Sequence, residues 1–315
     1  MKSIVLFTGG GIADFGHPIS PSAVVDIEPW FLEAYRINHP QNVKRLQRDI
    51  LATDPQEVCA DMGVKNTDLL WGSPSCQCFS ISAAGLNPPE HARMRPLYLK
   101  TAEYAAILKP RFVIVENVLG ILQKQHVMWT TWLKRDLEKL GYYVALWKLN
   151  AIDFDGCAQR KRVFIVARLN GPVPPEPKGK QKGNPKRLGQ IIGHLSEQEA
   201  LADGCVTVSK NWQEKLKSIE PAKPILRDDG SKSGYCRLSM DGQVLALRTR
   251  PCIIKTPLMV HPKVNRFLSV REFACIQGVP DYKFPKYMPT SERYRVIGQA
   301  IPPFLAKAVI DRLTA

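Results

Sequence analysis

Ile4-Val5-Leu6-Phe7-Thr8-Gly9-Gly10-Gly11 is a short apolar run that breaks on three consecutive glycines. It reads as a buried strand entering a turn whose backbone a ligand can approach closely. The same alternation continues to about residue 170. Residues 23–27 form a second strand candidate with Asp26 near its end, and Pro29 suits the first position of a helix carrying Phe31, Leu32, Ala34, Tyr35 and Ile37. Further strands are expected at residues 68–71, 112–115, 144–149 and 163–167. Leu97–Leu108 has helical spacing, and Trp129, Trp132, Leu133, Leu137 and Leu140 step by three and four along one buried helix face. Strands alternating with helices imply an α/β fold with a mostly parallel sheet covered on both faces.

The pattern stops at residues 171–186, a stretch of prolines, glycines and lysines that cannot continue a sheet. Residues 171–265 hold 16 Lys and Arg against 9 Asp and Glu, an excess of seven positive charges. Turn pairs such as Asp228-Asp229-Gly230 and Asp241-Gly242 interrupt them, so a smaller, irregular domain with a basic face is expected over 171–264. Order returns at Ser269-Val270-Arg271-Glu272, a capping box opening a helix through Ile276 that Gly278 and Pro280 stop. A last helix begins at Pro302 or Pro303. Residues 1–170 and 265–315 are therefore expected to make one domain.

Composition narrows the class. The chain has 315 residues, 44% hydrophobic and 23% charged, which excludes a disordered or fibrous protein. It lacks an apolar run of about 18 residues, so no membrane span is expected, and its first residues lack a secretory signal, so it is expected in the cytoplasm. A net charge of +15 favours a polyanionic partner. The eight cysteines include no C-x-x-C pair and no histidine spaced to complete a zinc site, so no metal is expected. The one close pair is Cys76 and Cys78.

Ligands in such sheets bind at the carboxyl ends of the strands. Four candidate segments fall there: Phe7, Thr8, Gly9, Gly10 and Gly11 after the first strand; Asp26; Gly72-Ser73-Pro74-Ser75-Cys76-Gln77-Cys78-Phe79-Ser80; and Glu116-Asn117-Val118. Any one of them is weak evidence, but they occur as a set.

With those segments, the chain resembles the cytosine-5 methyltransferases that act on DNA, of prokaryotic or phage type. The 72–80 segment is similar to the family's nucleophile loop, and Glu116-Asn117-Val118 matches its Glu-Asn-Val motif. Arg160-Lys161-Arg162-Val163-Phe164-Ile165-Val166-Ala167 is similar to its arginine strand. Two closing motifs follow, from Arg271-Glu272 through Gln277-Gly278 to Pro280, and from Tyr294-Arg295 through Gly298-Gln299-Ala300 to Pro303. The resemblance implies a Rossmann-like S-adenosylmethionine-dependent methyltransferase sheet with 171–264 as the target-recognition domain. It assigns catalysis to Cys76, Glu116, Arg160 and Arg162. The cofactor would be held by Phe7, Thr8, Gly9, Gly10 and Gly11, with Asp26 on the ribose, Ile27 on the adenine, Asp49 on its amino group, and Leu97 and Gln299 completing the pocket. The departures are Val5 for an acidic residue, Ser75 for the proline before the nucleophile, Ala158 for glutamine and Gln299 for asparagine.

The residue chemistry agrees. Carbon 5 of cytosine is a poor nucleophile, so a thiolate must first add at carbon 6, and a carboxylic acid at N3 stabilises the enamine that results. Double-stranded DNA is the expected partner, with the cytosine flipped out of the stack, and a monomer associated with the nucleoid is expected. An RNA cytosine-5 methyltransferase and a non-catalytic DNA-binding regulator of the same fold stand as alternatives.

Overall fold

The computed structural model describes every residue except 16–19, 65, 80–92, 208–209, 218–219, 222–223, 227–231, 246, 248 and 250–257. Ser80 and the turn at 228–230 lie outside the described residues. Seven strands build one sheet: β1 (Ser3–Leu6), β2 (Pro21–Asp26), β3 (Lys44–Gln47), β4 (Leu69–Gly72), β5 (Phe112–Val118), β6 (Tyr142–Asn150) and β7 (Lys161–Leu169). Their order across the sheet is β3-β2-β1-β4-β5-β7-β6. The first five run parallel; β7 is antiparallel to both β5 and β6, so the sheet is mixed.

The interior strands are apolar on both faces because both faces are covered. Ile4, Leu6, Val25, Leu70, Val113 and Val115 share a core with Tyr98, Ala102 and Ala105 of the helix Leu97–Leu108 and with Leu133 and Leu137 of Val127–Lys139. Gly72 ends β4 where Thr101 lies so close that a Cβ would collide with its hydroxyl, which explains a glycine at this exit.

Register decides where function can sit. Leu6 is paired with Val25 and Gly72, and Gly72 with Val115, so the carboxyl ends of β1, β2, β4 and β5 share one edge. Because β7 is reversed, its beginning lies at that same edge: Arg162 is opposite Val118, and Phe164 is opposite Glu116.

The chain divides into two units. The first comprises Met1–Asn150, Lys161–Lys178 and Ala306–Ala315; the second comprises Ala151–Arg160 and Gly179–Leu305. Residues 265–305, expected with the sheet, group with the second unit. Polar contacts help to tie them there. Val270 N donates to Gly204 O (3.1 Å), Arg293 Nη1 to Asp203 O (3.0 Å), Arg271 pairs with Asp203 (2.6 Å) and Arg266 with Glu197 (2.7 Å). The capping box is as expected: Ser269 Oγ accepts from Glu272 N, and Glu272 Oε2 accepts from Ser269 N. The second unit also holds β8 (Pro224–Leu226), β9 (Lys232–Arg237) and β10 (Leu258–Val260), in the order β10-β9-β8. No helix among the described residues is long and apolar enough to cross a membrane.

Candidate active site

Beyond Gly72 the chain leaves the sheet in a braced loop. Ser73 N donates to Leu6 O (3.3 Å), Trp71 Nε1 to Ser73 Oγ (2.8 Å), and the buried Asn117 sends its Nδ2 from β5 to Pro74 O (3.1 Å). Phe79 N donates to Cys76 O (3.0 Å), closing a turn over residues 76–79. Phe79 anchors that turn, buried edge-on against Tyr98 (5.9 Å) and His126 (5.4 Å). The turn separates the two cysteines. Cys78 points inward, 1% exposed, and burial pushes its thiol up to about 11; Cys76 is half-buried beside the exposed Gln77. Ser75, where the resembling family carries proline, supplies its carbonyl to Cys78 Sγ at 3.9 Å.

Glu116 and Arg162 meet through the reversal of β7. Arg162 Nε lies 2.7 Å from Glu116 Oε1, both side chains being largely buried. A guanidinium at this distance, with little water between, fixes the direction in which the carboxyl group points. Had β7 run parallel, Arg162 would begin its strand at the far edge of the sheet.

Arg160 is placed differently. It belongs to the second unit, is 4% exposed, and donates through Nη1 to Gly298 O (2.9 Å) and through Nη2 to Gln299 O (2.7 Å). β7 begins only at Lys161, so Arg160 is not bound by the strand alternation that would put it on the same face as Arg162. Both terminal nitrogens donate to backbone carbonyls of the second unit, at an arginine to which the resemblance assigns a catalytic role.

The glycine turn after β1 is tightly specified. Phe7 (φ 59°) adopts the left-handed conformation, as do Gly9 (φ 56°) and Gly11 (φ 73°), where a Cβ would strike Tyr35 and His39. For Phe7 that conformation costs about 1–2 kcal/mol. Asp26, buried at the end of β2, accepts from Gly9 N through Oδ2 (2.8 Å) and from Glu28 N through Oδ1 (3.0 Å). Burial pushes its pKa up while the Glu28 and Gly9 amides pull it down. Each carboxylate oxygen has a lone pair beyond the amide it serves, so the group can still accept two hydroxyls. Ile27 next to it is 54% exposed, an apolar surface at the strand end. Asp49 is exposed and its Oδ1 accepts from Leu51 N (2.9 Å); Leu97, at the start of its helix, packs half-buried on the core. A glycine turn, a carboxylate with spare acceptor capacity and an exposed aliphatic side chain suit an adenosyl group. Gln299 lies in the second unit, exposed at the last position of the helix Thr290–Gln299.

Sequence reading passed over the structural roles of Asn117 and of the buried Gln277, whose Nε2 donates to Ile297 O (2.7 Å) and Ala300 O (2.9 Å). For Asn117 a signal was available: a polar residue in an otherwise buried strand needs a partner, here Pro74 O.

Comparison with known proteins points the same way. The family model for C-5 cytosine-specific DNA methylases matches residues 1–315. The Type II methyltransferase M1.HphI of Haemophilus parahaemolyticus is 26% identical over 333 residues, spanning 98% of this chain and 85% of the relative. The Type II methyltransferase M.DdeI of Desulfomicrobium norvegicum is 25% identical over 375 residues, spanning 100% and 88%. Among solved structures, the Entamoeba histolytica methyltransferase EhMeth superposes with a TM-score of 0.72 at 14% identity, covering 99% of this chain and 97% of that one, which supports the fold alone. With the glycine turn, the Cys76 loop, Glu116 and Arg162 at one sheet edge and the family pattern matched from end to end, the chain belongs to the C-5 cytosine-specific DNA methylases and is a DNA cytosine-5 methyltransferase.

Proposed function

We propose that Cys76 carries methylation of a cytosine flipped out of a specific duplex sequence, by covalent addition at carbon 6. The observation that carries this reading is the buried Arg162–Glu116 ion pair on the strand edge that also positions the Cys76 loop, through Asn117 and Pro74. The Cys76 thiolate forms the sulfur–carbon 6 bond, and the electron pair of the carbon 5–carbon 6 double bond moves into the ring toward N3. Glu116 holds a proton at N3, where that charge collects, and Arg162 keeps the carboxyl group aimed there. The cofactor, S-adenosylmethionine, supplies an electrophilic methyl group when bound. Phe7 to Gly11 would cradle it by backbone, Asp26 would accept from its ribose hydroxyls, Ile27 and Leu97 would pack on it, and Asp49 and Gln299 would complete the contacts. When carbon 5 has been methylated, N3 returns its proton to Glu116, the carbon 5 proton passes to water, and its electron pair re-forms the carbon 5–carbon 6 double bond as the sulfur–carbon 6 bond breaks to regenerate the thiolate.

The second unit supplies recognition in this reading. The seven excess positive charges of residues 171–265 favour phosphate contacts, while base edges in the major groove provide selectivity.

Single-turnover methylation of duplex DNA tests the assignment of Glu116 and Arg162. Glu116→Gln should slow methyl transfer by at least about a hundredfold while DNA affinity stays near wild type, the signature of a group acting in the transition state. Arg162→Lys, which keeps charge but loses the planar fork, should fall between them. A Glu116→Gln enzyme that methylates at the wild-type rate would remove Glu116 from the mechanism.

A further inference from the structure

The helices Leu97–Leu108 and Val127–Lys139 pack on one another and share a core with the strand that carries Glu116. Helices that meet inside such a core are expected to bring apolar side chains to the contact. Here Tyr98 and Thr101 stand three residues apart on one face of the first helix, and Thr130 on the second stands four residues after His126 at its start. Each of the four is less than a tenth exposed. The hydroxyls of Tyr98, Thr101 and Thr130 and Nδ1 of His126 are shielded from solvent, yet none completes a hydrogen bond within the chain. They are neighbours. Tyr98 and His126 both stand edge-on to the Phe79 ring, at 5.9 Å and 5.4 Å, and the Tyr98 hydroxyl lies close to Thr130 and within the field of the Glu116 charge.

Leaving a buried hydroxyl unpaired is costly, and phenylalanine or valine of the same shape would avoid the cost. Polar groups gathered in one seam instead meet the conditions for bound water, which needs about two to four partners. Burial pushes the Tyr98 hydroxyl up, so it stays protonated and can donate to one neighbour while accepting from another. Arg162 reaches Glu116 from β7 (2.7 Å); the seam reaches it from the helices. We infer that this seam holds water beside Glu116, and that Tyr98 is a positioning residue whose hydroxyl, with Thr130 and that water, fixes the Glu116 carboxyl group for its work at N3. The inference rests on the reading above that Glu116 acts at N3.

The test uses the full chain, duplex DNA and S-adenosylmethionine in single-turnover methylation. Tyr98→Phe keeps the ring against Phe79 and removes one oxygen. The rate should fall by about tenfold while cofactor and DNA affinities stay within about twofold of wild type. Thr130→Val should lose about threefold, and Thr130→Ser, which keeps the hydroxyl, should restore the rate. That pair carries the test should Tyr98→Phe fail to fold. Because Tyr98 acts through Glu116, adding Tyr98→Phe to Glu116→Gln should cost nothing further. Merely structural hydroxyls give a different result: Tyr98→Phe and Thr130→Val would methylate as wild type does, with urea midpoints equal or higher. That outcome overturns the inference and leaves Glu116 in its role. A full loss repeated in the Glu116→Gln background would overturn it too, since Tyr98 would then act elsewhere. If Glu116→Gln itself methylates at the wild-type rate, the reading beneath the inference fails and the inference falls with it.

Discussion

In the first unit the heart of the sheet is apolar, with Ile4, Leu6, Val25, Leu70, Val113 and Val115 fully buried, and its buried Asp26, Glu116 and Asn117 stand toward the strand ends. In the second unit Arg160, Arg237, His261, Glu272 and Gln277 are buried among apolar residues such as Leu268, Val270 and Phe273. Arg237 donates to His261 O (2.9 Å), Leu216 O (2.6 Å) and Asn265 Oδ1 (2.6 Å); Arg266 joins Glu272 (2.8 Å) to Glu197 (2.7 Å). A core of methyl groups loses stability by increments, because each deletion leaves a cavity of its own size. A core of partnered charges fails steeply, because removing one partner strands the other out of water. The two units thus respond to substitution by different physics within one chain.

The largest expected effect follows from that contrast. Arg266→Ala leaves Glu272, 1% exposed, without its guanidinium and should cost about 3–5 kcal/mol of stability by urea unfolding. A loss under about 1 kcal/mol would mean that water reaches Glu272 readily and that the second unit is not held by charge. Next comes Asp26→Ala, which strips the acceptor from the Gly9 and Glu28 amides and from the expected ribose hydroxyls. Cofactor binding should weaken by about 1–3 kcal/mol in calorimetry; unchanged affinity would take Asp26 out of the site. In the first unit Ile4→Val should cost only about 0.5–1.5 kcal/mol, and a much larger loss would show the apolar core to be as brittle as the polar one.

The smallest effect is a pH dependence. Burial holds His261 below its ordinary value of 6.5, with Glu272 pulling upward and Arg266 and Arg237 adding to the depression. A base whose folded pKa is depressed contributes stability that is complete above the unfolded value and is lost as pH falls through the folded one. The Glu197 carboxyl, lowered chiefly by its hydrogen bond from Arg266, changes in the same direction at lower pH. Urea midpoints should therefore drop from pH 7.5 to pH 5.5, with His261→Gln flattening the upper part of the decline. A midpoint that rises on acidification would contradict the neutral assignment of His261.

The same contrast explains what was legible in the sequence. β1, β2, β4 and β5 announce themselves as apolar runs, because buried strands can be read from hydrophobicity alone. β3, Lys-Arg-Leu-Gln, cannot be read that way: it is an edge strand that turns little more than Leu46 inward. The direction of β7 is equally silent, since alternation looks the same read either way, yet that direction is what brings Arg162 to Glu116. The positions of Cys76 and Glu116 at strand ends were legible because motif and apolar run coincide. The destination of Arg160 was not, because it stands one residue before its strand begins. The membership of residues 265–305 was hidden too: capping signals locate a helix but do not name the neighbour to which its arginines reach.

The central claim is that the braced loop after β4 presents one sulfur for attack and hides the other. Duplex DNA containing 5-fluorocytosine at the target tests it, since fluorine cannot leave as a cation and the adduct persists once carbon 5 is methylated. Incubation with S-adenosylmethionine, denaturation and peptide mapping should place the base on Cys76. The adduct should vanish in Cys76→Ser and persist in Cys78→Ser, because Cys78 is buried and its thiol is pushed up to about 11. A base found on Cys78, or an adduct that survives in Cys76→Ser, would contradict the account.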